Sequence, residues 1–414
     1  MKVLYLNAYF YPEDLASSYL GHNVREALAK SDVIIVLFAP TPSRGISKKI
    51  RKEYSSSKKS EIWYDGRMHI HRFSIFKEGR NPFIRALRYI LVIIKLYNRS
   101  IFDGDAKNCD VMFIPSTPPI MGWMAARIKK HSKIPFVYNL QDIFPDSLVG
   151  TGLAKRDGLL WKIGRKIEDY TYKNADKIIV ISQDFKRNIM VKGVPEEKIE
   201  VVYNWVDENA ITPVKDEENE LFEEFGISRD KFRVVYAGNL GNAQNIDIIV
   251  NTARRLKDNS QIEFVVFGTG GMEDEIKATK TKEKLDNLKI LPLQPYERVA
   301  KVYGLGHLCI VACKPGLGGA AMPSKTWSIM SSGRAVLANF DEGELKEIVE
   351  NNHCGVFTKA DDLEGFVQAI KELSQQPERC AEMGVNGRQF ILENLTREVG
   401  TQKYVDVIKS VVKQ

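Results

Sequence analysis

The chain has 414 residues, of which 44% are apolar, 60 are Lys or Arg and 53 are Asp or Glu. At about 100–200 residues per domain this length predicts two or three domains, each able to bury a core, and the composition excludes a disordered or fibrous chain. The net charge of +7 is unevenly spread, because residues 1–205 hold 34 basic and 21 acidic side chains and the remainder holds 26 and 32.

Met1–Asp14 has one Lys, no long apolar core and a Pro at position 12, so it reads as a first buried strand rather than a signal peptide. Similar β-branched runs bounded by Pro, Asp, Asn or Ser follow at Val33–Phe38, Val111–Ile114, Phe136–Leu140 and Ile178–Ile181. Runs without polar alternation are expected for parallel strands buried on both faces. Helical stretches lie between them at Tyr19–Lys30, Gly122–Lys130 and Leu159–Lys173. This βαβα rhythm predicts a doubly wound α/β domain.

Arg44 to Arg99 holds 15 basic and 4 acidic residues in 56 positions, a block that needs an anionic partner or open solvent. Asn81–Arg99 within it reads as a helix. At 100° per residue, Arg85, Arg88, Lys95 and Arg99 fall within about 80° of one another, beside a broad apolar face. Such a helix is either buried with its stripe toward solvent or lies in the headgroups of an anionic membrane, and the surrounding positive charge favours the membrane. No RNA- or DNA-binding motif accompanies the block, so nucleic acid is not expected as a partner. Asp103-Gly104-Asp105 reads as a solvated turn. No run of 18 apolar residues occurs, and no transmembrane helix is expected.

The rhythm breaks after Val201–Tyr203, at Pro213 and the acidic stretch Asp216–Glu224. A second series of strands follows at Arg233–Tyr236, Glu263–Phe267, Leu288–Leu291, Leu308–Ala312, Ala335–Ala338 and Gly355–Thr358. Two α/β domains in tandem are therefore predicted, with a last helix near Val399–Val412. Cys109, Cys309, Cys313, Cys354 and Cys380 are too few and too scattered for a disulfide scaffold or a zinc site, and read as buried free thiols.

Three glycine loops in the second half run from a strand toward a helix. They are Gly238-Asn239-Leu240-Gly241, Gly268-Thr269-Gly270-Gly271 and the longer Pro315–Lys325, which contains Gly318, Gly319, Pro323 and Ser324. Ligands of open α/β sheets bind beyond the carboxyl ends of strands, where small residues let backbone amides approach a phosphate. Together the loops favour a nucleotide site, with Lys325 as its cation. There is no Gly-Lys-Ser/Thr and no full Gly-x-Gly-x-x-Gly, so neither a Walker loop nor a dinucleotide cofactor is expected.

Ala175–Ser182, Gly193–Ile199, Tyr203–Asp207, Gly238–Gly241 and Met330–Val336 together resemble the GT-B glycosyltransferases, specifically family 4 of the retaining enzymes. Gln141–Ser147 and Pro323–Trp327 are similar to a subgroup that includes bacterial N-acetyl-fucosaminyl transferases of surface-polysaccharide assembly. The resemblance implies an α/β GT-B fold of two tandem Rossmann-like doubly wound domains facing each other across a cleft. Residues 1–208 would bind the acceptor, 209–395 the nucleotide sugar, and 396–414 would form a helix packing back on the first domain. The implied reaction is metal-independent retaining transfer from a UDP-linked sugar to a polyprenyl-diphosphate-linked saccharide for O-antigen or capsule, with no cofactor. It would take place at the cytoplasmic face of an anionic membrane, to which the enzyme binds peripherally.

Catalytic roles then fall to Asp142 and Lys325. Donor contacts fall to Gly238, Asn239, Gly241, Gly268, Gly270, Gly318, Gly319, Pro323, Ser324, Lys325, Ser328 and Glu344, and acceptor contacts to Ser17, Ser18, His22 and Gln141. The chain departs from the family pattern where Ala320 and Ser328 replace a pair of glutamates, Gln141 replaces a histidine and Ala16-Ser17-Ser18 replaces a glycine pair. Two other functions stay open: a nucleotide-sugar 2-epimerase on the same fold, and a non-catalytic nucleotide-sugar binder, the latter motivated by the missing glutamates.

Overall fold

A computed structural model describes residues 1–13, 18–79, 81–150, 154–318 and 322–412. The chain divides into two compact units, Met1–Tyr203 with Gly400–Gln414, and Asn204–Val399.

The first unit is built on β1 (Lys2–Leu6), β2 (Ile34–Pro40), β3 (Ser60–Trp63), β4 (Met68–Phe73), β5 (Val111–Pro115), β6 (Phe136–Leu140), β7 (Lys177–Val180) and β8 (Ile199–Val201). These lie in the order β3-β4-β2-β1-β5-β6-β7-β8. All neighbours are parallel except β3 and β4, and Leu4 of β1 pairs with Val36 on one side and Met112 on the other. Chain order reverses at the β1–β5 pair, and in open sheets a crevice forms at such a switch. Val3, Leu4 and Leu6 are fully buried, as are Val111, Met112 and Ile114, as expected for central strands covered on both faces.

The second unit carries six parallel strands in the order β11-β10-β9-β12-β13-β14. They are β9 (Phe232–Asn239), β10 (Ile262–Thr269), β11 (Leu288–Leu291), β12 (Leu308–Ala312), β13 (Ala335–Phe340) and β14 (Gly355–Lys359). Here the switch falls between β9 and β12. Register sets Gly238 beside Gly268 and Asn239 beside Thr269, so two glycine loops leave the sheet side by side. The five cysteines are buried and free.

The basic block contains the β3–β4 hairpin, turned through Tyr64, Asp65 and Gly66, all with positive φ. Of the basic stripe of the Pro82–Phe102 helix only Arg88 turns inward, while Arg85, Lys95 and Arg99 are exposed. Arg88 is fully buried, with Nη1 3.8 Å from Glu78 and its guanidinium 4.6 Å from the centre of the Tyr9 ring. Lys95 donates to Ser74 O at 2.6 Å, and Arg99 lies 3.3 Å from Asp103. Phe83, Ile84, Leu87, Ile90 and Ile94 are exposed as well. The helix is apolar on two sides, so tertiary partners decided which side turned inward. Arg88→Glu would set two carboxylates together in the core, at a cost of about 3–5 kcal/mol. The expected result is a melting temperature lower by roughly 10 °C, while Arg85→Gln, which gives up only a half-exposed partner 3.5 Å from Glu78, should lower it less.

Candidate functional site

In the second unit the site grows from the ends of β9 and β12. The helix Lys325–Ser331 is anchored by buried Thr326, Trp327, Ile329 and Met330. Arg388 ties down its last turn, donating to Ser331 O and Ile211 O at 2.9 Å each. This holds Lys325 over β9, where its Nζ donates to Tyr236 Oη at 3.0 Å and sits 4.1 Å from the centre of that ring. A Cβ on Gly238 (φ +145°) would lie 3.1 Å from Lys325 Nζ, so glycine leaves the ammonium its place. Among the described residues no carboxylate lies within 4 Å of Lys325, and burial lowers its pKa to about 8. A partly buried cation with no acidic partner is prepared for an anion.

The glycine loops pack on one another. A Cβ on Gly268 would meet Gly238 O at 2.4 Å, and one on Gly270 would meet Leu240 O at 2.6 Å and Asn239 Oδ1 at 2.7 Å. A Cβ on Gly241 would meet Asn239 Nδ2 at 2.7 Å, and that amide group donates to Gln244 at 3.2 Å. In the third loop the Gly316 and Gly318 amides donate to the Asp341 carboxylate at 3.1 and 2.7 Å. Two of the backbone donors expected to face a phosphate are therefore taken by a side chain. Pro323 is half-buried, Ser324 is exposed, and Ser328 is half-buried on the helix. Glu344 is buried at the start of the Glu344–Asn351 helix. Gly319, like Ser17 of the first unit, lies outside the described residues.

In the first unit Ser18, His22 and Gln141 come together. They line a pocket of about 840 Å³ at the carboxyl ends of β1, β5 and β6. His22 Nδ1 is 3.1 Å from Tyr64 Oη. Gln141 Nε2 donates to Asn139 Oδ1 at 3.0 Å and to Tyr404 Oη at 3.2 Å. Tyr404 comes from the Arg397–Val412 helix and also donates to Asn139, at 3.0 Å. Asp142 does not line this pocket. The residue is exposed overall, yet desolvation by the protein around its carboxyl group raises its pKa, against hydrogen bonds from Ser147 and the Ile143 amide.

Two α/β units with phosphate-type loops at a switch point are matched by two family models. Residues 21–210 match the model described as Glycosyltransferase Family 4, and residues 217–390 match Glycosyl transferases group 1. The chain is a glycosyltransferase of the GT-B fold. Among its relatives is WbjE of Pseudomonas aeruginosa, named as a glycosyltransferase and 22% identical over 75% of this chain and 76% of that one. Another is WcaI of Escherichia coli K12, named for colanic acid biosynthesis and 24% identical over 66% and 67%. Similar solved structures include sucrose-phosphate synthase from Thermosynechococcus elongatus, with TM-score 0.73 at 13% identity, covering 100% and 99% of the two chains. Anabaena HepE in complex with UDP gives 0.70 at 15% identity, over 99% and 100%.

Several residues of these sites escaped the sequence reading. Tyr236 looked like one more strand residue, and nothing local marks Asp341, 23 positions from the amide it binds. Arg25 carried a visible signal, since it shares the helix face of Leu20, Val24 and Leu28 and is buried with them in this glycosyltransferase.

Proposed function

We propose that this glycosyltransferase is a retaining enzyme that moves a sugar from a UDP-linked donor to a polyprenyl-diphosphate-linked saccharide in cell-surface polysaccharide synthesis. Gln141–Ser147 and Pro323–Trp327 resemble the N-acetyl-fucosaminyl transferase subgroup, without fixing the sugar. The second unit binds the donor and the first binds the acceptor. The observation that carries the reading is Lys325, an ammonium with no acidic partner among the described residues, held against glycine backbone at the ends of β9 and β12. A departing diphosphate gathers negative charge, and a preorganised cation stabilises that charge without reorganising at the moment of reaction. The kinship with WcaI, named for colanic acid biosynthesis, and the fold shared with UDP-bound HepE support the choice of donor and product class. Glu344 and Ser328 are donor contacts in this reading, and Asp142 assists the incoming hydroxyl.

Transfer from radiolabelled UDP-sugars to a membrane extract, with the anomeric configuration of the product read by NMR, tests the proposal. Retained configuration and turnover unaffected by chelator are expected. Epimerised nucleotide sugar, or binding without transfer, would replace this reading with one of the two alternatives.

Titration adds a second check. Burial makes the folded protein hold the Lys325 proton less tightly than the unfolded chain does, so the ammonium is lost as pH rises through about 8. The kcat/KM for donor reports ionisations of the free enzyme. It should fall about tenfold per unit above that pH, and Lys325→Arg should move the fall upward because a guanidinium keeps its proton. A flat profile from pH 7 to about 10 would take Lys325 out of the donor site.

The acceptor's lipid gives the first unit a reason to meet a membrane. Among the described residues no helix is long and apolar enough to cross one. The Ile120–Ser132 helix packs against both the Pro82–Phe102 and the Leu159–Asn174 helices, so the three form one layer. Phe83, Leu87, Ile90 and Ile94 are exposed on the Pro82–Phe102 helix, Trp123 on the Ile120–Ser132 helix, and Leu159 and Ile163 on the Leu159–Asn174 helix. Arg85, Arg127, Lys162 and Lys166 stand among them. An apolar surface with interspersed cations suits the headgroup region of an anionic bilayer.

A further inference from the structure

Among the described residues four arginines are buried: Arg25, Arg72, Arg88 and Arg233. Three of them face a carboxylate. Arg72 lies 3.1 Å from Glu61, Arg88 3.8 Å from Glu78 and Arg233 2.6 Å from Asp216. Arg25 differs. It is 6% exposed, its Nε has no partner, and no hydrogen bond or ion pair joins it to any described residue. Its guanidinium lies 4.9 Å from the centre of the Phe10 ring and 5.8 Å from that of Tyr5, and all three side chains line the pocket at the ends of β1, β5 and β6.

Among the described residues the pocket does not supply the missing charge. Its wall contains Glu13, but that carboxylate accepts the amides of Ser43 at 2.7 Å, Arg44 at 2.8 Å and Phe10 at 3.3 Å. Two further polar atoms on the wall, Tyr5 Oη and Asn7 Oδ1, are buried without a hydrogen-bond partner. The opposite character comes from rings. Trp63 lies 5.5 Å from Phe10 and 5.7 Å from Tyr11, centre to centre. An apolar wall with a few convergent polar groups is the usual form of a small-molecule site. Aromatic faces suit the C–H surface of a sugar ring, a hydroxyl and an amide oxygen suit its hydroxyl groups, and a guanidinium presents a planar fork that fits carboxylate or phosphate oxygens.

We propose that this pocket binds a saccharide carrying a carboxylate or phosphate, and that Arg25 is its anion contact. The inference deepens the reading of the first unit as the acceptor side, by giving the acceptor a negative group on the sugar portion held there. Glu61 and Glu78 leave Arg72 and Arg88 neutralised, so Arg25 alone among the buried arginines remains to read that charge. Gly21 fits the same picture, since a Cβ there would lie 3.1 Å from Arg25 Nη1 and crowd the guanidinium.

The full-length protein is titrated calorimetrically with glucuronate, glucose 1-phosphate, glucose and inorganic phosphate, as wild type, Arg25→Met and Arg25→Lys. The anionic sugars are expected to bind at least about tenfold more tightly than glucose. Arg25→Met should erase that preference, and Arg25→Lys should keep part of it. Without ligand, Arg25→Met should raise the melting temperature, because it removes an uncompensated buried charge; a purely structural arginine would lower it. UDP binding, assigned to the second unit, should be equal in all three proteins and reports that each is folded. Equal affinity for glucose and the anionic sugars in wild type overturns the proposal. Inorganic phosphate matching glucose 1-phosphate overturns its saccharide part. Loss of anionic-sugar binding in Arg25→Met with unchanged glycosyl transfer would uphold the binding site and sink the acceptor reading, so the two failures are distinguishable.

Discussion

Replacing Lys325 with Ala should slow glycosyl transfer by one to two orders of magnitude while leaving the protein folded. Among the described residues the ammonium donates only to Tyr236, and no ion pair depends on it. Its removal therefore costs the structure little and the charged ligand much. A charge-assisted hydrogen bond in a partly desolvated site is worth about 1.5–3 kcal/mol, which corresponds to roughly ten- to a hundredfold in rate. The split between constants identifies the step. Equal falls in kcat and kcat/KM mean that Lys325 acts on charge appearing in the transition state, whereas a raised donor KM with unchanged kcat means uniform binding. Tyr236→Phe should have a smaller effect, because the ring still underlies the ammonium and only one hydrogen bond is lost. An unaltered rate for Lys325→Ala at both saturating and subsaturating donor would remove this residue from the site.

What could be read in advance followed the range of the forces involved. The central strands were legible because a parallel strand covered on both faces must be apolar throughout, as Val3–Leu6 and Leu308–Ala312 are. The glycine loops were legible for a similar local reason, and register then placed Gly238 beside Gly268. The β3–β4 hairpin was hidden by its charge. Met68-His-Ile-His alternates with a period of two, and Asp65-Gly66 marks a turn, but the density of basic residues drew the segment toward solvent in the reading. Arg88 shows a stricter limit. A helical projection groups Arg85, Arg88, Lys95 and Arg99 correctly, yet it cannot say which apolar side is inside when both sides are apolar. Glu78 and Tyr9, distant partners, settle that. Asp341 and Tyr404 are of the same kind, since their roles depend on groups 23 to 265 residues away.

The exposed apolar side chains of the Pro82–Phe102 helix change what a membrane experiment should find. If the outer layer of the first unit meets lipid through Phe83, Leu87, Ile90 and Ile94, association has an apolar part that salt cannot screen and a basic part that it can. Burying one such side chain contributes about 1.5–3 kcal/mol when complete and less for a helix resting at headgroup depth. Each nearby Lys or Arg adds about 1 kcal/mol against anionic lipid. Phe83→Asp with Leu87→Asp should then lower partitioning onto anionic vesicles at least about tenfold, since losing even half of both side chains' contribution exceeds 1.4 kcal/mol. Raising salt should weaken wild-type binding without abolishing it, and neutral vesicles should retain a measurable fraction. The melting temperature should scarcely move, because Phe83 is 85% exposed and Leu87 51% exposed in the free protein. A basic stripe alone predicts otherwise: binding to neutral vesicles absent, salt sufficient to release the protein, and the double aspartate variant weakened only by its added charge. Co-sedimentation with both vesicle types at two salt concentrations separates these outcomes, and wild-type protein that ignores anionic vesicles at low salt would refute both.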